Sequence, residues 1–137
     1  MSNKLILVTG GFSYLHRGHM AVLEYCHNLG EVVVLLNSDE SIMRMKGYFG
    51  ESFNQRKQAI LNTRLVKEVR RIEENPESEI EKVKPDVIVV GADHTIEEVL
   101  EKGGKYAKRI IVLPESMRLD SSRRIHEAKL RNDRRKD

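Results

Sequence analysis

The sequence predicts a single α/β domain, a Rossmann-like open sheet of about five parallel strands with helices on both faces. Segments of strand and helix character alternate from one end of the chain to the other. Two of the strand segments, 31–36 and 86–90, are almost continuously apolar, as a sheet covered on both faces requires. Strands separated by helices pair in parallel through crossover connections, and 137 residues are typical of one domain.

The first half of the chain is predicted to contain two strands and three helices. Gly30 is expected to end the first helix, because glycine readily takes the conformation that follows a last helical turn. Asn54 is expected to cap the third helix. The segment between the second and third helices, 46–52, is glycine-containing and is expected to be a mobile loop. In order, the elements are a strand at 4–9, a helix at 18–29, a strand at 31–36, and helices at 39–45 and 54–63.

The second half is predicted to contain three strands, each followed by a helix. Ser78 with Glu81, and Thr95 with Glu98, have the spacing of a capping box. In order, the elements are a strand at 66–72, a helix at 78–83, a strand at 86–90, a helix from 95 to the glycines at 103 and 104, a strand at 109–113 and a helix at 121–131. The predicted domain covers residues 1–131, and residues 132–137 form a basic C-terminal tail.

Composition and charge narrow the class of protein. The chain has 24 Lys and Arg against 21 Asp and Glu, a net charge of +3, which does not demand a nucleic-acid partner. Cys26 is the sole cysteine and lies in an apolar helical pattern, so we expect it in the core of a protein from a reducing cytoplasm. No signal-peptide pattern is visible, and no run approaches the roughly 20 apolar residues of a membrane span. We therefore expect a cytoplasmic protein with no membrane partner.

The segment from Gly10 to His19 carries the strongest chemical signal. It joins an apolar strand to a helix and contains Gly10 and Gly11 followed by His16 and His19. Glycines let backbone N–H groups approach an anion, and a helix N-terminus adds partial positive charge. The histidines add donors for charge that develops on a phosphorus centre. The alternative is a tight turn with histidines that serve only as structural hydrogen-bonding groups.

The same segment, read as Gly-x-Phe-x-x-x-His-x-Gly-His, resembles the signature of the cytidylyltransferase-like nucleotidyltransferases. This family includes glycerol-3-phosphate cytidylyltransferases and the adenylyltransferase domain of ADP-heptose synthase. The resemblance continues in order along nearly the whole chain. The further matching positions are residues 37–41 with Lys46 and Gly47, Arg56, residues 84–94, and residues 121–125.

The resemblance implies transfer of a nucleoside monophosphate from CTP or ATP to the phosphate of a small polyol or sugar phosphate, with release of pyrophosphate. It implies catalytic roles for His16, His19, Lys46 and Arg123. The implied nucleotide-binding residues are Gly10, Gly11, Phe12, Gly18, Gly91, Asp93, Ser121 and Ser122, and the implied acceptor-binding residues are Ser13, Asn37, Asp39 and Arg56. Mg²⁺ is expected to arrive on the phosphates of the nucleotide.

Simpler interpretations stay open for several of these residues. Lys46 lies in the predicted loop, where a lysine is usually solvated. Arg56 stands at a helix start, where a cation needs an anion nearby, either a bound phosphate or Glu51 in a surface ion pair. Asp93 either accepts from a ribose hydroxyl or caps the next helix in competition with Thr95.

The acceptor and the nucleotide are also left open. Ser13 stands where relatives of the glycerol-phosphate type commonly carry Asp. Residues 37–47 and 95–104 look most like the ADP-heptose synthase domain, whereas the single-domain length is more like the glycerol-phosphate enzymes. A nucleotide-binding or regulatory module without catalysis is the alternative function. Relatives are often dimers, so a homodimer is a further expectation.

Overall fold

Five strands and six helices alternate in this computed structural model, which describes residues 4–47, 50–73, 75–117 and 122–135, with the backbone alone described at 122–124 and 132–135. The strands are β1 (Leu5–Gly10), β2 (Glu31–Asn37), β3 (Glu68–Ile72), β4 (Val87–Val90) and β5 (Arg109–Val112). The helices are α1 (Arg17–Leu29), α2 (Asp39–Lys46), α3 (Phe53–Asn62), α4 (Glu77–Val83), α5 (Ile96–Glu101) and α6 (Ser122–Arg135), with short 3₁₀ turns at Gly104–Tyr106 and Glu115–Met117.

The strands form one parallel sheet in the order β3-β2-β1-β4-β5. From β1 the chain builds β2 and β3 on one side and then crosses back to build β4 and β5 on the other. This reversal makes the gap between the carboxyl ends of β1 and β4 a topological switch point, where open α/β sheets bind their ligands. The predicted fold class is confirmed.

Helices cover both faces of the sheet, so the central strands are buried on both sides and their successive side chains enter opposite halves of the core. Helices α1 and α3 pack on one face through Leu23, Cys26 and Ile60. Helices α4 and α5 pack on the other face through Ile80 and Val99. On the first face they meet Ile6, Val8, Val32, Val34, Leu36, Val87 and Val89, and on the second Leu7, Val33, Leu35, Ile88 and Val90. This two-sided burial explains why β2 and β4 are apolar almost throughout.

Cys26 lies in the core, as predicted. Its side chain is fully buried on the inner face of α1. Burial raises the pKa of the thiol to about 12, because the thiolate would lose its hydration. The side chain therefore serves packing and not nucleophilic chemistry.

Three helix starts differ from the predictions. Helix α1 begins at Arg17 with His16 as its N-cap. Ser52, and not Asn54, caps α3, and it forms a capping box with Gln55. The predicted box of Ser78 and Glu81 is wrong, because α4 starts earlier, with Pro76 at the N-cap position and no side-chain cap.

Three other boundaries also move. Helix α2 extends through Lys46, so that this lysine belongs to a helix and not to the predicted loop. Strand β3 begins at Glu68 and not at residue 66, and it follows a turn that contains the left-handed residue Arg64 (φ 61°). Helix α6 continues to Arg135, beyond the predicted end at residue 131. None of the helices in the described ranges combines the length and apolar content needed to cross a lipid bilayer.

The edge of the sheet opposite the switch point is held by Asp86. Its carboxylate accepts from the backbone N–H of Leu5 at 2.8 Å and pairs with Lys108 at 3.3 Å. The Leu5 N–H, followed by the Lys108 ammonium, holds the pKa of Asp86 below its usual value, because both stabilise the ionised form. These contacts fix the start of β1 against the start of β4.

Candidate active site

The carboxyl ends of β1 and β4 open into a cleft with a volume of about 670 Å³. This volume is in the range of small-molecule sites, and the cleft lies at the switch point of the sheet. The predicted site residues that line it are Gly10, Gly11, Phe12, His16, Gly18, His19, Asn37, Lys46, Gly91 and Asp93. Glu98, predicted only as part of a capping box, and Lys102 also line the cleft. The apolar part of the wall includes Val22, Ile72, Ile80, Val99, Leu113 and Met117, none of which stands out in the sequence as a site residue. Their apolar pattern is also that of ordinary core residues.

His16 and His19 form a reciprocal capping box at the start of α1. Nδ1 of His16 accepts from the backbone N–H groups of Gly18 at 3.1 Å and His19 at 3.3 Å. Nδ1 of His19 in turn accepts from the backbone N–H of His16 at 3.3 Å. The two rings stack with centroids 3.7 Å apart and planes 17° from parallel. The pair thus satisfies orphan N–H groups of the helix, a task usually left to Ser, Thr and Glu.

This capping fixes which nitrogen of each imidazole carries the proton. Nδ1 is an acceptor in both rings, so each neutral ring has its hydrogen on Nε2. A proton on Nε2 makes that nitrogen a donor on the part of the ring farther from the backbone. Two parallel imidazoles that line one cleft are therefore oriented as a pair of hydrogen-bond donors.

The turn between β1 and α1 is tightly folded. Phe12 (φ 49°) and Tyr14 (φ 51°) both adopt the left-handed conformation, which is uncommon for aromatic residues. The ring of Phe12 is buried and packs on His19 with centroids 4.9 Å apart. A Cβ at Gly10 would lie only 3.1 Å from that ring, so any larger residue there would require the ring to shift by a few tenths of an ångström. The turn holds the histidine pair in one orientation.

Lys46 faces the same turn from the opposite wall. It ends α2, where Gly47 closes the helix in the left-handed conformation (φ 73°) and donates to Met43 O at 2.9 Å. Nζ of Lys46 lies 3.8 Å from where a Cβ on Gly11 would sit. The carboxyl end of the α2 dipole favours a cation there, so the ammonium is presented to the cleft by a defined helix end.

Arg56 is fully buried and does not line the cleft. Its guanidinium donates to Gly11 O at 2.9 Å, to Asn37 O at 2.8 Å and to Glu51 O at 3.1 Å, and it pairs with Asp39 at 2.8 Å. The anion that a cation at this helix start requires is therefore the Asp39 carboxylate, and the alternative of a surface pair with the Glu51 side chain is wrong. Arg56 fixes the ends of β1 and β2 to each other.

The other predicted acceptor-binding residues are also engaged in the protein. Asn37 lines the cleft, and its Nδ2 donates to Ser41 Oγ at 3.2 Å and to Glu73 O at 3.3 Å. Asp39 is committed to Arg56. Ser13 is buried and is not among the residues that line the cleft.

The turn after β4 forms the far end of the cleft. Gly91 O accepts from the backbone N–H of His94 at 3.2 Å, which closes the turn. Thr95 caps α5 and forms the predicted box with Glu98. The capping alternative for Asp93 is therefore wrong, and its side chain lies at the cleft with about half of its surface exposed.

The predicted phosphate-binding element at the start of α6, the helix that follows β5, is described only in part. Ser121 lies outside the described residues. Ser122 and Arg123 begin α6, and the structure describes their backbone alone. One link that the sequence did not suggest joins this helix to the site: the hydroxyl of Tyr14 lies 2.7 Å from Nδ1 of His126.

Comparison with known proteins identifies the family of this fold and site. The model of a family described as cytidylyltransferase-like matches residues 7–128. The bifunctional protein HldE of Helicobacter pylori (strain HPAG1) is 38% identical over 109 residues, which cover 77% of this chain and 23% of that protein. HldE of Helicobacter hepaticus is 31% identical over 115 residues, which cover 81% and 23% respectively. The chain thus spans about a quarter of the length of these curated relatives.

A solved structure is also similar. The lipopolysaccharide core biosynthesis protein from Thermoplasma volcanium GSS1 superposes with a TM-score of 0.69 at 27% sequence identity. The match covers 81% of this chain and 96% of that one. With a family match over most of its length, this chain belongs to the cytidylyltransferase-like nucleotidyltransferases.

Proposed function

We propose that this chain transfers the adenylyl group of ATP to the phosphate of a sugar phosphate and releases pyrophosphate. The observation that carries the proposal is the reciprocal capping box of His16 and His19 at the switch point of the sheet. The box aligns two imidazoles whose Nδ1 atoms are engaged with the backbone and whose protons lie on Nε2. Such a pair is suited to stabilise charge on a phosphate held at the helix mouth.

The reaction requires little covalent work from the protein. An oxygen of the acceptor phosphate, already an anion, forms a bond to the α-phosphorus of ATP. The bond from that phosphorus to its bridging oxygen breaks, and the electron pair leaves with pyrophosphate, so no proton has to be abstracted. The protein must align the two phosphates and stabilise the charge that develops. His16 and His19 would act from one wall of the cleft and Lys46 from the other.

Mg²⁺ is proposed to accompany the triphosphate. Magnesium commonly binds through substrate phosphates with few protein ligands. Within the described residues, no three His, Cys, Asp or Glu side chains are grouped as a metal site. Phosphate oxygens would therefore supply much of its coordination and bring its charge to the leaving group.

The choice of ATP and of a sugar phosphate rests on similarity. Residues 37–47 and 95–104 resemble the adenylyltransferase domain of ADP-heptose synthase, and HldE proteins are among the similar curated proteins. The similar solved structure is described as a lipopolysaccharide core biosynthesis protein. These likenesses favour a sugar over a simple polyol as the carrier of the acceptor phosphate.

Pyrophosphate release tests the proposal. The protein is incubated with Mg²⁺, ATP or CTP, and a panel of sugar 1-phosphates and polyol phosphates, and the products are identified by mass. We expect release with ATP and at least one sugar phosphate, and formation of the matching nucleoside diphosphate sugar. Faster transfer with CTP, or to glycerol phosphate, would overturn the choice of substrates. Tight binding of ATP with no turnover across the panel would indicate a nucleotide-binding module.

A further inference from the structure

The side chain of Tyr14 occupies a socket formed by Gly50 and Glu51. The backbone N–H of Tyr14 donates to the Glu51 carboxylate at 2.5 Å, which holds the residue in its left-handed conformation. The phenol ring lies directly over Gly50. A Cβ at that glycine would sit 2.0 Å from the Tyr14 hydroxyl, so a side chain there would displace the ring. The loop before α3 is thus shaped to receive this ring.

The same ring contacts α6 in three ways. Its hydroxyl lies 2.7 Å from His126 Nδ1, and the Tyr14 and His126 rings stack with centroids 5.7 Å apart. Nζ of Lys129 lies 5.3 Å from the centroid of the Tyr14 ring, within cation–π range. His126 and Lys129 are three residues apart and therefore share one face of the helix.

Between residues 125 and 131, where its side chains are described, helix α6 has little apolar anchorage of its own. Every side chain that the structure describes in it, from residue 125 to residue 131, is at least partly exposed. Ile125 and Leu130 are the largest apolar side chains in this range, and Leu130 is 46% exposed. The contacts with Tyr14 are therefore expected to carry much of the orientation of this helix.

Each end of this link lies close in sequence to a residue that lines the cleft. Tyr14 lies two residues before His16, whose ring caps α1 and lines the cleft. Helix α6 begins at Ser122, shortly after Met117, which also lines the cleft. A change at the Tyr14 hydroxyl would thus reach the site through the turn that carries His16.

We propose that Tyr14 is a positioning residue whose hydroxyl and ring clamp α6 against the turn at residues 10–16 and thereby tighten the binding of the nucleoside triphosphate. The proposal rests on the proposed function, because it assumes that this cleft takes a triphosphate. Tyr14 does not line the cleft and is assigned no contact with the reacting atoms.

Calorimetric titration of the whole chain with ATP and Mg²⁺ tests the clamp, with CTP titrated in parallel. We expect Tyr14→Phe and His126→Ala each to weaken ATP binding about fivefold to tenfold, since the hydrogen bond between Tyr14 and His126 is lost in each. The double variant should bind no more weakly than His126→Ala, because that variant has already lost the partner of the Tyr14 hydroxyl. His126→Asn is the matched control. Its amide offers a donor and an acceptor near the position of Nδ1 and should keep affinity within twofold of the wild type.

Several outcomes would overturn the clamp. One is an ATP affinity of Tyr14→Phe within twofold of the wild type, whether or not its melting temperature falls, since a purely structural role would leave the affinity of the folded protein unchanged. Another is additive losses in the double variant. The same titration separates the two proposals. A wild-type protein that binds ATP and transfers nothing contradicts the proposed function alone, whereas wild-type affinity in the variants contradicts the clamp alone. Failure to bind either nucleotide would contradict both.

Discussion

The imidazoles of His16 and His19 line the cleft, whereas the guanidinium of Arg56 is fully buried at the ends of β1 and β2. Each imidazole uses one nitrogen to cap α1 and carries its proton on the other. Arg56 directs its donors to three backbone carbonyls and the Asp39 carboxylate. A basic side chain near the candidate site can therefore be available to a ligand or be engaged with the protein itself, and the partners of its N–H donors decide which. Substitutions should separate these two roles.

The largest expected effect comes from His16→Asn. Asparagine places Oδ1 near the position of Nδ1 and so keeps the cap, but it has no donor at the place of Nε2. We expect turnover to fall about 10²–10³-fold, the usual loss for one well-aimed donor, at nearly unchanged melting temperature. Steady-state pyrophosphate release and thermal denaturation measure the two effects.

His16→Gln is the matched variant, because its amide nitrogen reaches the place of Nε2 while the δ acceptor is lost. It should retain more activity than His16→Asn and lose about 1 kcal/mol of stability. Wild-type turnover in His16→Asn would remove this imidazole from the mechanism.

Arg56→Met should affect stability before activity. It leaves the Asp39 carboxylate and three carbonyls without their shared donor, and breaking a buried ion pair in this way costs about 3 kcal/mol. Arg56→Lys should not restore the loss, because an ammonium cannot span the same acceptors. Chemical denaturation gives the free energy of unfolding, with Asp39→Asn as the milder control, since Asp39 is 35% exposed.

The opposite outcome for Arg56 would be equally informative. A variant with wild-type stability and a raised KM for the acceptor would return Arg56 to direct substrate contact, as the family resemblance implies.

Thr95→Ala tests whether the loss of a helix cap beside the cleft is enough by itself to lower turnover. Helix α5 begins with a Thr95–Glu98 box beside the same cleft, but neither cap group is an imidazole. We expect a loss of about 1 kcal/mol of stability and turnover within twofold of the wild type where the protein is folded. Thr95→Ser should restore the stability. A tenfold fall in the turnover of folded Thr95→Ala would show that the loss of a cap alone accounts for part of any fall in turnover measured in the His16 variants.

The smallest effect is expected at the opposite edge of the sheet, in Asp86→Asn. The pKa of Asp86 is held below its usual value, so its carboxylate contributes stability above the pKa of the unfolded chain, and this is lost as pH falls through the folded pKa. Urea midpoints of wild type and variant should therefore differ at pH 7 and converge toward pH 2. Parallel midpoints over that range would contradict the assignment. Turnover at pH 7 should not change.

Local signals in the sequence predict much of the fold. The apolar runs of β2 and β4 predict buried strands because burial on both faces excludes polar side chains. The Thr95–Glu98 box is predicted correctly because its partners are three residues apart and of standard type. The box of His16 and His19 has the same spacing, but histidine is not an ordinary capping residue. At α4, Ser78 and Glu81 have the right types, yet the helix has already begun before them.

The candidate site likewise has one part that local sequence signals predict and another that depends on long-range contacts. Residue type and order along the chain place Gly10 and Gly91 at strand ends and His16 and His19 at the start of the helix after β1, and parallel strands bring those ends to one edge. The burial of Arg56 and the contact of Tyr14 with α6 join residues 45 and 112 positions apart, respectively, to their partners. No local pattern encodes such distances.

By itself, the sequence determined the alternation of elements, the parallel sheet and the family signature at the first turn, because these depend on side-chain type and short-range spacing. The tertiary structure decided which basic side chains line the cleft and which form hydrogen bonds that hold the surrounding strands together. That choice depends on the donors and acceptors that packing brings within about 3 Å of one another, and the partners come from distant parts of the chain.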